Sequence, residues 1–523
     1  MAGLAPLAPR SGTRYSSIAL ERALLTAVYL RGVKSFETET KVRCSALTIL
    51  TGSNSCGKST VFQGVLLLKQ LVSVPAGTEA IVRLSGPLVA QGSFRDWSSN
   101  HSEGPMALGV DFTDERGGES SLRIGLEATG GAPSDARLVS VDWSSGAVAP
   151  GTASSVGAPR FRWSLNVTSI DEYAKTVSDL LGAKVADAPA SEGALIPTTG
   201  LPYHISAFIT QDGREARLGD AIGSLSGLVP ARISSGSAPK EALLWLLERL
   251  QAGAPTAAQP PADLVDLGNP SRLASELGRV FHLGPLREEP RLIYSGERAR
   301  NPQDVGPRGE KAASVLAEFG GEIIDVPLPD LSPGVTHQTL LEAVAEWGER
   351  IGVLSKLQAL NETKFGTEFR VSAPFSASSP AAPAIQTGVV NVGIGISQVI
   401  PVLVLCLAAP PGSTVLIEQP ELHLHPAVQS RLGDFFAACI LSGRQIVVET
   451  HSEHIINRVR LLTARNQLAP SSDVCLHFIE RDDFGSEVSE IAIRKDGGLE
   501  RWPRGFFDET SLALEELVRA RLS

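Results

Sequence analysis

Apolar positions recur along the chain with three different spacings. Near the start, "LTAVYLRGVKSF" (25–36) and "SALTIL" (45–50) are short runs rich in β-branched and aromatic residues, and they read as two strands. After them Phe62, Val65, Leu66 and Lys69 follow at turn-like spacing, which predicts a helix from Ser59 to about Val72. From about 80 to 175 the spacing changes to strict alternation: "MALGVDF", "LRIGLEAT", "LVSVDW" and "RFRWSLNV" are separated by Gly, Ser and Pro clusters, the signature of an antiparallel sheet with hairpin turns.

Residues 237–251 carry a helical apolar stripe, and 252–270 are rich in Ala, Pro and Gly like a linker. Helices are expected at 309–319 and 338–360, then a strand near 367–372 and a Ser/Ala/Pro-rich loop at 372–388. From 389 onward the order tightens: an apolar helix after Ser397, strand 414–418, helix 426–440, strand 445–449, helix 452–464, and two strands in "VCLHFIER" and "VSEIAIRKDG". Strands alternating with helices predict a parallel-rich α/β core. Its first half lies at 25–75, so the middle of the chain reads as an insertion.

The units expected from this pattern are a disordered leader at 1–20, the N-terminal half of the core at 21–80, and an insertion at 81–280 that is β-rich and then helical. A helical linking part at 281–388 and the C-terminal half of the core at 389–523 complete the chain. No segment sustains a heptad, which excludes a long coiled coil.

Composition adds little to the fold but narrows the setting. A hydrophobic fraction of 43% and a charged fraction of 20% fit a globular chain. The net charge of −10 means that contact with nucleic acid would need a local basic patch. Five scattered cysteines without a CxxC pair argue against a disulfide framework and for a reducing cytoplasm. The leader lacks a continuous apolar stretch, so it is not read as a signal peptide, and the longest apolar run, 399–410, is too short to span a bilayer.

"TGSNSCGKST" (51–60) carries the chemistry. Gly52, Gly57, Lys58 and Ser59 satisfy G-x-x-x-x-G-K-[ST] between a predicted strand and a predicted helix. The backbone of Ser53, Asn54, Ser55 and Cys56, followed by Thr60, would wrap the phosphates. Lys58 would reach the β- and γ-phosphates, and the Ser59 hydroxyl would take a position on Mg²⁺.

About 355 residues later "TVLIEQPELHLHP" ends a buried strand in Glu418, a carboxylate placed to hold that metal through water. "NVGIGISQVIP" places Gly395, Ser397 and Gln398 at a helix start, an anion-binding arrangement. In "VVETHSEH", His451 follows a strand and is a candidate γ-phosphate sensor. Gln91, in "LVAQGSF", is a candidate third metal ligand. Arg287 reads equally as a phosphate or partner contact and as part of a solvated ion-pair face with Glu288 and Glu289. His423 and His425 lack a third ligand, so a metal pair there is disfavoured.

These motifs, in this order and spacing, resemble ABC-class ATPases of the SMC, RecF and OLD type. They are most similar to stand-alone bacterial ATPases of anti-phage defence, Septu PtuA-like or OLD-like without a Toprim nuclease, where strings like "HLGPLR" (282–287), "IEQPELHLHP" and "WPRGFFDE" (502–509) recur. The resemblance implies an ABC-type P-loop ATPase head with a mixed sheet, split by a large insertion. It implies ATP and Mg²⁺ as cofactors and a homodimer or higher homo-oligomer in which Ser397 and its neighbours act on a partner's ATP. A separately encoded effector, nuclease or toxin, would be a further partner; duplex DNA is a candidate partner and a membrane is not.

One residue departs from the family pattern. Gln419 stands where a catalytic glutamate is usual, and an amide orients water but cannot accept its proton. Two outcomes stay open: Glu421 acts as base, or hydrolysis is slow and switch-like. Three functions follow: an ATPase controlling an effector, a RecF-like repair clamp, and a scaffold with ATP as a static cofactor.

Overall fold

In the computed structural model the described residues are 24–73, 81–90, 92–101, 104–113, 119–129, 135–146, 160–166, 201–211, 214–226, 229–234, 270–289, 298–354, 356–363, 366–372, 387–388, 394–470, 472–501 and 519–520. Gln91, the helix expected at 237–251 and "WPRGFFDE" lie outside them.

The chain begins with β1 (Leu24–Arg31), β2 (Thr40–Arg43) and β3 (Leu47–Gly52), followed by α1 (Lys58–Ser73). Then come β4 (Ile81–Arg83), the short α2 (Phe94–Trp97), β5 (Met106–Thr113), β6 (Glu119–Ala128), β7 (Asp135–Gly146), β8 (Arg160–Asn166), β9 (Leu201–Gln211), β10 (Arg214–Ser226) and β11 (Val229–Ser234). Helix α3 (Pro270–Gly278) leads into β12 (Val280–Leu283) and α4 (Ala312–Phe319). Two small antiparallel sheets are built from β13 (Ile323–Pro327) with β14 (Val335–Thr339), and from β15 (Lys356–Thr363), β16 (Gly366–Ser372) and β17 (Thr387–Gly388). Between them lies α5 (Leu340–Ile351). The last part alternates α6 (Ile394–Ala408), β18 (Thr414–Glu418), α7 (Pro426–Leu441), β19 (Gln445–Glu449), α8 (Glu453–Ala464), β20 (Val474–Asp482) and β21 (Gly485–Ile491).

Two sheets organise the molecule. The first has the order β12-β18-β19-β3-β20-β21, parallel throughout except for β21, which folds back on β20 as a hairpin. The second is antiparallel, in the order β11-β10-β9-β8-β7-β6-β5-β1-β2 with β4 on β7. The N-terminal strands therefore serve both: β1 and β2 continue the antiparallel sheet, while β3 enters the middle of the parallel one.

Side-chain alternation along the parallel strands separates two cores. Ile49, Val415, Ile417, Ile446, Val448, Leu476 and Phe478 point one way, into a layer made by α5, α6, α7 and α8. Leu50, Leu416, Val447 and Ile479 point the other way, against α1 and the apolar face of the antiparallel sheet. Covered on both faces, β18 and β19 are buried at every position. The Gln445 carboxamide joins the sheets: its oxygen accepts from Leu25 N–H and the Thr414 hydroxyl, and its nitrogen donates to the carbonyls of Leu25 and Ser45.

The helix expected over 338–360 is a shorter helix and a strand. Thr339 and Glu342 form a capping box at the start of α5, and Gly352, with φ of 82°, ends the helix in the left-handed conformation. Residues 356–363 then pair with 366–372. The expectation for 25–50 also missed β2, whose four residues carry a single buried position, Val42. Among the described residues no helix exceeds 16 residues, and none is long and apolar enough to cross a membrane.

Candidate functional site

The loop between β3 and α1 can adopt its shape only with glycine at two positions. Gly52 has φ of 141°, and a Cβ there would lie 1.9 Å from the Ile479 carbonyl oxygen. Gly57, at φ 98°, would meet Ser35 Oγ at 2.6 Å. Ser55 is left-handed as well, at φ 58°. Inside the loop Lys58 is buried, and its Nζ donates to the carbonyl of Ser53 at 2.6 Å and to that of Gly52 at 3.3 Å.

A cavity of about 430 Å³ opens on this loop, lined by residues 55–60 together with Lys34, Gln63, Asn100, Glu449 and Arg481 among others. Three cations (Lys34, Lys58, Arg481) against two carboxylates (Asp96, Glu449) give its lining a positive balance. Glycines that leave no room for side chains, a buried lysine inside the loop and a hydroxyl at the helix start fit a polyphosphate with a divalent cation.

The carboxylate that touches Ser59 is Glu449: Ser59 Oγ donates to Glu449 Oε2 at 2.7 Å. Glu418 is its neighbour in register on the adjacent parallel strand. Since Glu449 follows Val447 by two and Glu418 follows Leu416 by two, both acids project on the α1 side of the sheet. Glu418 Oε1 lies 2.7 Å from His282 Nε2, on the edge strand β12. Burial pushes the Glu449 carboxyl up to about 7; the Ser59 hydrogen bond opposes that, and the Glu418 charge adds to it. Glu449 was not singled out from the sequence because it reads as an ordinary strand end. The available signal was that "TVLIE" and "QIVVE" both finish in glutamate and would lie side by side in a parallel sheet.

The segment after Glu418 is bent back on the sheet. Gln419 takes a positive φ of 44°, and its N–H donates to the Glu449 carbonyl at 2.7 Å. Arg287 is buried and donates to the main-chain carbonyls of Glu418 at 2.7 Å and Gln419 at 3.0 Å. It is thus neither a solvated ion-pair partner nor exposed toward a ligand. Desolvation lowers its pKa to about 10, with the Glu421 and Glu418 charges opposing.

Glu421 is buried too. Its Oε1 accepts from His451 N–H at 2.7 Å, while Oε2 has no partner among the described residues. Burial raises its pKa, against the His451 hydrogen bond. His451 is half-buried, with its pKa lowered by burial and by the Lys58 charge. Glu418, Glu421, Glu449, Lys58 and His451 therefore form one electrostatic neighbourhood.

Gly395, Ser397 and Gln398 stand apart from it. They lie in the first turns of α6 and do not line the cavity. Gly395 packs on the segment after Glu418, where a Cβ would meet the His423 carbonyl oxygen at 2.8 Å. His425 caps α7 through Nδ1, and no cluster of three metal-ligating side chains occurs among the described residues.

Residues 388–457 match a family described as "AAA domain, putative AbiEii toxin, Type IV TA system", and residues 470–517 match one described as "Protein of unknown function (DUF3696)". No curated protein sequence matches the chain. Similar solved structures include an SmcHead bound to the C-winged helix domain of ScpA, at 12% identity and TM-score 0.38, covering 90% of this chain and 98% of that one. The SMC head domain from Thermotoga maritima aligns at 10% identity and TM-score 0.35, covering 89% and 98%. An Smc head domain with an extended coiled coil bound to the C-terminal domain of ScpA, derived from Pyrococcus furiosus, aligns at 11% identity and TM-score 0.37, covering 95% and 100%. Superpositions this loose transfer no residue roles, so the local geometry carries the assignment. The glycine loop between β3 and α1 and the acid-ended strands beside it form an α/β P-loop architecture on a mixed sheet, and the stretch 388–457 is similar to the AAA family matched there.

Proposed function

We propose that this chain binds ATP with Mg²⁺ at the P-loop and hydrolyses it slowly. The observation that carries this reading is the contact of Ser59 with Glu449 beside a loop whose lysine is already drawn to its centre. Loop N–H groups and Lys58 hold the β- and γ-phosphates, and Ser59, Glu449 and Glu418 are the residues that would hold the metal. Mg²⁺, when bound, neutralises charge on the phosphate oxygens.

Glu421 is the base in this reading. One carboxylate oxygen accepts from the His451 N–H, the other has no hydrogen-bond partner among the described residues, and burial raises its proton affinity. Gln419 orients water by hydrogen bonding but leaves the proton for Glu421, which fits a restrained rate. The His451 N–H holds Glu421 and its imidazole feels the Lys58 charge, so it would register loss of the γ-phosphate.

Two copies would enclose two nucleotides, head to tail. What supports this is that Gly395, Ser397 and Gln398, which the motif resemblance assigns to a partner's ATP, do not line the cavity of their own chain. Control of a separately encoded effector in phage defence is the setting favoured by the motif resemblance, together with the toxin-linked description of the family matched at 388–457. Gln419 alone favours a second reading, in which ATP is a static cofactor.

Turnover by wild type, Lys58→Ala, Glu421→Gln and Gln419→Glu tests the reading. Loss of turnover in the first two variants and a rise in the third are expected. ATP binding without turnover above a blank in any of the four would replace hydrolysis with the static role. Light scattering with and without ATP checks dimerisation.

A further inference from the structure

The parallel strands flanking β3 each deliver a charged residue past its end. On one side β19 brings Glu449. On the other β20 runs beside β3 with Ile479 opposite Gly52, so Arg481, two residues on, reaches beyond the strand to the level of the glycine loop. Ile479 faces the α1 side of the sheet, and the period of two places Arg481 on that side also. Its side chain lines the P-loop cavity.

The hairpin that carries Arg481 is fastened to the loop. Its cross-strand partner is Ser486, whose hydroxyl donates to the Cys56 carbonyl within the P-loop and whose N–H donates to the Ser35 carbonyl, both at 2.6 Å. Gly485, at φ 132°, lets this contact form, since a Cβ there would lie 2.8 Å from Ser35 O. Strand register therefore holds Arg481 at a fixed height over the loop.

Arg481 is exposed, and among the described residues no carboxylate pairs with it. Its neighbour Asp482 is engaged, accepting from Phe484 N–H to shape the turn. The acids that line the cavity are also committed: Asp96 accepts from the Ser93 hydroxyl and Glu449 from Ser59. A guanidinium without a counter-charge, held at the mouth of an anion cradle, is a phosphate ligand by its chemistry.

We propose that Arg481 is a nucleotide-binding residue that meets the polyphosphate of the P-loop nucleotide from the side opposite Glu449. The β20–β21 hairpin then forms the third wall of the site, and the 470–517 segment, matched only to a family of unknown function, gains a role in nucleotide capture. This rests on the ATP reading above.

ATP affinity of the full chain, measured by titration calorimetry with Mg²⁺ for wild type, Lys58→Ala, Arg481→Gln and Asp483→Ala, tests it. Arg481→Gln is expected to weaken ATP by roughly 10-fold at low salt and by less at high salt, with Asp483→Ala close to wild type. Apo melting temperatures should be equal, because Arg481 is exposed. If Lys58→Ala loses ATP while Arg481→Gln binds like wild type, Arg481 has no such role and the ATP reading stands. If wild type and Lys58→Ala fail to bind ATP alike, the ATP reading falls and this inference with it. Should Arg481→Gln melt lower without nucleotide, Arg481→Lys decides: recovery of ATP affinity supports a phosphate contact, and continued weakening overturns it.

Discussion

The two large sheets bury their apolar residues differently. In the parallel sheet β18 and β19 are buried at all five positions, because helices cover one face while α1 and the second sheet cover the other. In the antiparallel sheet β6 alternates between buried and partly exposed, because one face meets water. Polar groups therefore have different places to go. On the antiparallel sheet they sit along the open face: Asp111 accepts from Tyr29 Oη at 2.8 Å and pairs with Arg123 at 2.7 Å, and the Arg123 guanidinium lies 3.5 Å from the Tyr29 ring centre. In the parallel sheet the acids of β18 and β19 stand at the carboxyl ends, so Glu418 and Glu449 come together near Ser59. One sheet spreads its charges along an open face, and the other gathers them beside the glycine loop.

The sharpest way to break this contrast is to hollow out the parallel sheet. Ile417→Ala is expected to cost about 2–5 kcal/mol in urea unfolding, as Ile417 is fully buried between helices and sheet. A loss under about 1 kcal/mol would show that the parallel core is no tighter than the open sheet. Lys58→Ala should weaken ATP by about 1.5–3 kcal/mol, roughly 10- to 150-fold, in calorimetric titration, with a smaller shift of the urea midpoint from the two loop hydrogen bonds it removes. A shifted midpoint with intact binding would reverse the roles assigned here.

Lys69 sharpens the comparison at the seam, where α1 meets β12. Its ammonium donates to the Gly278 and Val280 carbonyls, and burial pushes its pKa from 10.5 down to about 8. Between these values the unfolded chain holds a proton that the folded chain lacks, so stability rises with pH, by at most about 1.4 kcal/mol per unit. Lys69→Met should flatten that rise between pH 8 and 10.5 in denaturation midpoints. The smallest effect belongs to the open face: Arg123→Met is expected to cost about 0–1 kcal/mol by thermal unfolding. A cost matching that of Ile417→Ala would make the surface network as structural as the core.

How much of this was legible in sequence depends on how local the determining physics is. The glycine loop, α1 and the strands ending at Glu418 and Glu449 followed from short patterns, because buried parallel strands and a phosphate loop each need particular residues within a few positions. Arg287 was not legible: its partners are the carbonyls of Glu418 and Gln419, more than 130 residues away. The contact of Glu449 with Ser59 joins residues 390 apart and depends on strand order, which no local pattern encodes. The end of α5 was misread because Gly352 is a single residue within an apolar stretch, and only its left-handed backbone marks the boundary. Gly395, Ser397 and Gln398 were read from a loop-helix pattern that leaves open whose nucleotide they serve.

The place of β3 has a consequence for how the protein is made. Its neighbours β19 and β20 follow it by about 390 and 420 residues. At ordinary synthesis rates the strand "LTILTG" waits roughly 20–80 s for the chains that will flank it. During that interval β1, β2 and β5 to β7, which pair with near neighbours, can fold and offer α1 a surface, but both edges of β3 stay open. The parallel sheet thus closes only after β19 and β20 have emerged, and until then the glycine loop stands at the end of an unpaired strand.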